Sequence, residues 1–241
     1  MMKMKVVGSS SKGNCYILAS DTDCLILEAG VKLSDVKKAL DYNLGRETYC
    51  LVSHRHGDHA KYLTDIVNAG ILTAAPSDVW ASKPSTAHHV ISAQPEERME
   101  MGPWKIFPLA MAHDVPCLAY VIDHPDMGRL LFATDSGSIP YRIPSLRHLM
   151  IECNYSHLAL ERAIEEGRTA ASQRARLYDK HMSLDATKFF LRNNDLSGVS
   201  EIVLLHLSSN NSAADQFQRE IEALSGLPSY IADKNLILEF N

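Results

Sequence analysis

The sequence predicts an α/β sandwich in which helices cover the sheets, in preference to an all-β barrel. Two observations predict it: apolar, β-rich runs lie near both ends of the chain, and stretches with helical spacing fall between them. A third is capacity, since 241 residues with 46% hydrophobic composition can bury one large core, and a single domain over 1–241 is expected.

In order along the chain, residues 5–7, 15–19 and 24–27 read as strands separated by Gly, Ser, Asn and Asp-rich turns, an opening β-meander. After Gly30, the residues Leu33, Val36, Lys37 and Leu40 have the spacing of an amphipathic helix, 49–53 returns to strand, and 60–69 reads as helix. Further strands are expected at 104–107, 118–122, 129–133, 148–151 and 202–205, with helices at 158–166, 184–192 and 213–224.

The formal charge of -5 is spread along the chain, so a nucleic-acid partner would need a local basic patch. Five cysteines, Cys15, Cys24, Cys50, Cys117 and Cys153, include no C-x-x-C pair, which fits neither a disulfide framework nor a zinc knuckle. The start runs into a strand-like stretch with no signal-peptide core, and no apolar run is long enough to span a bilayer. A soluble, cytoplasmic protein with no membrane partner is expected.

The most informative stretch is Ser53-His54-Arg55-His56-Gly57-Asp58-His59, three imidazoles and a carboxylate within six positions directly after an apolar strand. His54 and His56, two apart, project to one side of an extended segment, and Asp58 and His59 fall where the next helix begins. Imidazole and carboxylate are what borderline divalent metals select, and this spacing suits two adjacent ions. His113, Asp135 and His206 each stand where a later apolar run stops, which is how a sheet presents ligands at one rim.

This pattern resembles the signature of the metallo-β-lactamase superfamily over nearly the whole chain. The resemblance implies an αββα sandwich of two mixed sheets flanked by helices. It implies that His54, His56 and His113 hold one metal, that Asp58, His59 and His206 hold a second, and that Asp135 bridges them. Zinc or manganese, with iron as a third choice, would lower the pKa of a shared water and furnish a hydroxide nucleophile that Asp58 helps to orient. One departure stands out: where the family usually has Asp supporting the ligand loop, this chain has Glu28.

Within the superfamily, His56 stands where diiron flavoproteins tend to place Glu, and Asp135 where thiolate-using lactamases place Cys. The interval from Asp135 to His206 is too short for a β-CASP cap, and no long arm like that of tRNA-maturation enzymes is evident. The turn at 8–14, together with His113-Asp114, Thr134-Asp135-Ser136-Gly137, Glu152-Cys153-Asn154, His181-Met182-Ser183 and His206-Leu207-Ser208 with Asn210-Asn211, looks most like the WalJ-type exonucleases, which act on DNA ends. A phosphodiesterase or nuclease is therefore expected. Hydrolysis of a small cyclic phosphodiester or thioester, and a metal-bound protein without catalysis, stay open as alternatives. Metal identity and oligomeric state are not legible.

That resemblance singles out His181, placed before Ser183, an N-cap candidate for the helix at 184, where an imidazole beside a helix start suits phosphate contact or protonation of a leaving oxygen. Arg168, Arg174, Arg176 and Lys180, with Tyr178 among them to stack on a base, form the best local phosphate-binding candidate, Arg174 and Arg176 foremost. Glu161, Glu165, Glu166 and Asp179 dilute it. The other histidines, His88, His89, His124, His148 and His157, read as surface or strand-end residues, with His157, close to Asn154, the foremost candidate for an exception. Lys12 and Asn14 read as groove-lining or simply as a polar turn in which Gly13 adopts positive φ.

Overall fold

The computed structural model describes residues 1–43, 46–83 and 89–240. The elements run β1 (Met2–Gly8), β2 (Cys15–Ala19), β3 (Asp23–Leu27), α1 (Leu33–Ala39), β4 (Glu47–Leu51), α2 (Gly57–Ala60), α3 (Leu63–Asn68), β5 (Leu72–Pro76), α4 (Ser77–Ser82), β6 (Val90–Ala93), β7 (Met99–Met101), β8 (Trp104–Met111) and β9 (Cys117–His124). They continue β10 (Gly128–Ala133), β11 (His148–Glu152), α5 (His157–Glu165), α6 (Gln173–Lys180), α7 (Leu184–Arg192), β12 (Glu201–Leu205), α8 (Ala214–Ser225), β13 (Ser229–Ile231) and β14 (Ile237–Phe240).

These strands form two seven-stranded sheets, ordered β14-β1-β2-β3-β4-β5-β6 and β13-β12-β11-β10-β9-β8-β7. Both are mixed: β1, β2 and β3 form the expected antiparallel meander, whereas β3 to β6 pair in parallel. In the second sheet β10 to β13 are parallel and β7 pairs with β8 antiparallel. By its contacts the chain divides into two compact units, Met1–Ala110 with Val115–Gly128 and Asp233–Asn241, and Met111–Asp114 with Arg129–Ala232.

In the first unit, alternate residues of the central strands, Cys15, Ile17 and Ala19, then Cys24 and Ile26, then Cys50, pack in one cluster with Val36, Leu63, Ile66 and Val79 from its helices. The intervening residues Tyr16, Leu18, Leu25, Leu27 and Leu51 are buried as well. Burial of both faces is why these strands read as continuous apolar runs instead of alternating ones. All five cysteines are free and buried, and burial pushes the Cys24 and Cys153 thiols up to about 12. Among the described residues no helix is long and apolar enough to cross a membrane.

Most expected elements are observed within a few residues. The helix expected over 60–69 is instead two short ones, because the chain at 59–62 is tied to the segment after β3: Ala29 N donates to His59 O at 2.7 Å and Tyr62 N to Ala29 O at 2.9 Å. The sequence does not predict strands β5, β6, β7, β13 and β14 or helices α4 and α6. In β5, Ala-Ala-Pro carries little strand propensity, and its pairing with β4 and β6 supplies what the local sequence does not.

Candidate metal centre

In the first unit the H-x-H-x-D-H segment leaves β4 and enters α2, and its rings gather closely. The His54 centroid is 4.7 Å from that of His56 and 4.2 Å from that of His59. Two of the rings, those of His54 and His59, are steered by neighbouring side chains. Ser53 Oγ lies 2.8 Å from His54 Nδ1, and Glu28 Oε1 lies 3.5 Å from His59 Nδ1. Asp58 Oδ2 is 3.4 Å from His59 Nε2.

Glu28, fully buried, also receives Ser53 N at 3.3 Å on both carboxylate oxygens, so the longer side chain still braces the loop as the shorter Asp would. Asn14 does more than line a turn: it is buried, its N–H donates to Asp58 O at 2.7 Å, and its amide nitrogen lies 3.1 Å from His59 Nε2. Two glycines permit this closeness. A Cβ on Gly30 would lie 1.8 Å from Asp58 O, and one on Gly13 would lie 2.5 Å from Gly30 O. Close approach of neighbouring backbone, more than a left-handed φ, explains Gly13.

The second unit gathers a separate set. Asp135, Glu152, His181 and His206 each offer a ligand atom within 4.8 Å of the others. Glu152 ends β11, is fully buried, and organises them: Oε1 is 2.7 Å from His181 Nδ1 and 3.1 Å from His206 Nδ1, while Oε2 accepts from Met182 N at 3.0 Å and Ser136 N at 3.2 Å. Asp135 Oδ1 is 3.3 Å from His206 Nδ1 and accepts from Thr134 Oγ1 at 2.7 Å. Burial pushes the Glu152 carboxyl up, and Asp135 adds to this, but the charge of His181 and the hydrogen bonds from His181 and His206 together hold the group below the ordinary range. Burial lowers His181, yet the charge and hydrogen bond of Glu152, with the charge of Asp135, together hold the imidazole above its ordinary value.

Glu152 was quoted in the sequence only as part of a motif, and no role was assigned to it. The available signal was an acid closing an apolar strand that is buried throughout. Backbone strain marks the same places. Glu28, Asp135 and His206 have φ of 71°, 41° and 54°, each within two residues of the end of a strand paired in parallel. A non-glycine residue there costs about 1–3 kcal/mol and persists where the surroundings dictate it.

The remaining expected residues divide. Ser183 caps α7, its Oγ accepting from Ala186 N at 3.1 Å, and His181 closes α6. His113 follows β8, with Nε2 3.1 Å from Asp114 Oδ1 and its ring centroid 6.3 Å from that of His181. Arg174 is held in a two-pronged pair by Glu161, Arg168 pairs with Glu166, and Lys180 with Asp114, so Glu161 and Glu166 offset two of the patch's four cations and Asp114, from another segment, a third. Arg176 is exposed. His124 and His148 are buried against Asp23 and Glu201, His89 and His157 are exposed, and His88 lies outside the described residues.

No protein-family model matches the chain, and no curated protein matches it. Solved structures do. The chain is similar to the metallo-β-lactamase fold protein YhfI from Bacillus subtilis, with 20% identity, a TM-score of 0.75, and 99% of this chain and 100% of that one covered. It is similar to a diphosphatase from the PhnP family at 14% identity and a TM-score of 0.66, covering 100% of this chain and 98% of that one. Human tRNase Z, short form, matches at 12% identity and a TM-score of 0.63 over the whole of both chains. The fold is the metallo-β-lactamase αββα sandwich, as the motif resemblance implied.

Proposed function

We propose that the chain is a metal-dependent phosphodiester hydrolase of the WalJ exonuclease type that acts on DNA. In this reading His54, His56 and His113 hold one divalent ion, Asp58, His59 and His206 a second, and Asp135 serves both. The observation that carries it is the convergence of donors within each unit: three imidazoles and a carboxylate on the loop after β4, and Asp135 and His206 around Glu152. The donor chemistry fits such ions. Every donor is imidazole nitrogen or carboxylate oxygen, which suits zinc, manganese or iron, and burial pushes the Cys24 and Cys153 thiols up, away from the thiolate form. The similarity of the fold to a diphosphatase and to tRNase Z favours a phosphate ester as substrate.

Ions of this kind supply Lewis acidity at the phosphoryl oxygens and lower the pKa of an attacking water. The chain's own groups do the rest. Asp58 orients the water, braced by Asn14 through its backbone carbonyl. His181, held at Nδ1 by Glu152, presents Nε2 to the leaving oxygen and delivers a proton there.

The test is turnover of single- and double-stranded DNA, RNA, a small cyclic phosphodiester and a thioester by metal-reconstituted protein, with Asp58→Ala as control. Nucleotide release from DNA, lost on chelation and in the control, is the expected result. Turnover of the thioester or the small diester alone, or of nothing, would overturn the reading.

A further inference from the structure

The second unit carries an aromatic group that the metal-site chemistry does not use. Tyr155, His157 and Tyr178 meet on its surface. The rings of Tyr155 and Tyr178 are stacked at 5.8 Å with 12° between their planes, and His157 stands edge-on to both, at 5.5 and 4.9 Å. Tyr155 is only 2% exposed, and it is fixed: it bridges to Ser183, and its carbonyl accepts from Leu184 N at 2.7 Å. Tyr178 is 39% exposed and His157 is exposed too, so the accessible ring surface of the group belongs to these two.

Core packing does not account for Tyr178. Helix α6, which bears it, has no fully buried residue, so Tyr178 lies over the core at Tyr155 without entering it. Its position is tied to the site instead. Tyr178 stands three residues before His181, in the last turn of the helix that His181 closes. The turn after Asp135 touches it as well, since a Cβ on Gly137 would lie 3.1 Å from Tyr178 O. Tyr155 follows Glu152 by three residues and so shares the strand end that orients His181.

A rigid, buried ring backing an exposed one is a platform for a flat π-system, and every nucleobase offers such a face. We infer that Tyr178, backed by Tyr155 and flanked by His157, is a stacking subsite for the nucleobase adjoining the phosphate that His181 contacts. The inference rests on the phosphodiester reading and deepens it: the substrate is a nucleotide chain recognised partly through a base, without selection among bases. Of the cations of α6, Arg174 and Lys180 are already committed to Glu161 and Asp114, and Arg176 is exposed.

The test measures binding to metal-reconstituted protein of deoxyadenosine and deoxycytidine monophosphates, adenosine monophosphate and base-free deoxyribose 5-phosphate, none of which is a phosphodiester. Tyr178→Ala should weaken the three nucleotides about five- to a hundredfold and leave the sugar phosphate unchanged. Tyr178→Phe should bind like the parent. In Tyr178→Trp, the added fluorescence should be quenched by nucleotides and not by sugar phosphate. Equal weakening of nucleotide and sugar phosphate, no weakening, or a parent that binds no nucleotide would each overturn the subsite. The two readings separate cleanly. Base-dependent binding through Tyr178 in a protein that hydrolyses no phosphodiester leaves the subsite standing and removes the proposed activity. Phosphodiester turnover with base-independent effects at Tyr178 does the reverse.

Discussion

Replacing Gly30 by alanine would place a Cβ 1.8 Å from the carbonyl oxygen of Asp58 and 2.5 Å from Asn14 N. Both are backbone atoms, so no side-chain rotation relieves the clash. Ordinary contact begins near 3.4 Å, which requires Asp58 O to retreat by about 1.6 Å. That motion pulls apart the Asn14 N–H bond to Asp58 O, now 2.7 Å, and the weaker one from the Asn14 amide at 3.4 Å. Two hydrogen bonds at about 1 kcal/mol each, with about 1–3 kcal/mol for overpacking, give a loss of about 3–5 kcal/mol. At about 2–4 °C per kcal/mol for a chain of this size, Tm should fall by about 6–20 °C, read by circular dichroism with chelator present. Turnover should fall roughly a hundredfold, the cost of about 1 Å of misplacement at a reacting centre. Gly57→Ala is the internal control, since nothing lies within 4 Å of its added Cβ although it neighbours Asp58. Gly30→Ala with the parent's Tm and activity would refute the close-approach argument, and an equal fall in Gly57→Ala would show that the segment merely dislikes substitution.

Glu152→Gln puts an amide donor where one of two acceptor oxygens now serves imidazoles or backbone N–H groups. Relief of repulsion from Asp135 offsets this only in part, so stability should drop by about 3 kcal/mol in metal-free protein, and an unchanged Tm would remove Glu152 as organiser. Asp135→Ala should lose both ions where a single terminal histidine variant loses one, as counted by elemental analysis; two ions retained would refute a shared carboxylate. His181→Ala should keep both ions and lower turnover about a hundredfold, with a smaller loss on a substrate whose leaving group needs no proton. Loss of an ion in that variant would instead make His181 a ligand, alongside Asp135 and His206. Ser183→Ala removes the cap on Ala186 N and should cost about 1 kcal/mol, read as a Tm about 2–4 °C lower.

The candidate donors were legible because their chemistry is local. Three histidines and an aspartate within six residues, placed after an apolar strand, announce themselves by type and spacing, and so do strands that are apolar without interruption. Helix α7 was legible for the same reason, since its cap, its apolar face and its end all lie within ten residues. Glu152 was not, because a single acid at the end of β11 has no spacing signature; its meaning comes from His181, His206, Met182 N and Ser136 N, brought to it from three other segments. Arg174 shows the complementary case. Its sequence neighbours are basic, but its partner is Glu161, thirteen residues away.

The sequence by itself therefore determined the donor types, the strand-end placement of His113, Asp135 and His206, and the α/β class, all of which follow from periodicity and side-chain chemistry along a few consecutive residues. Only the tertiary structure decided that Asn14 and Glu28 brace the H-x-H-x-D-H loop, that Gly30 must lack a side chain, and that Tyr178 rests on Tyr155. Those depend on distances of a few ångström between segments remote in sequence, and the chain acquires such distances only when burial of its apolar strands forces the segments together.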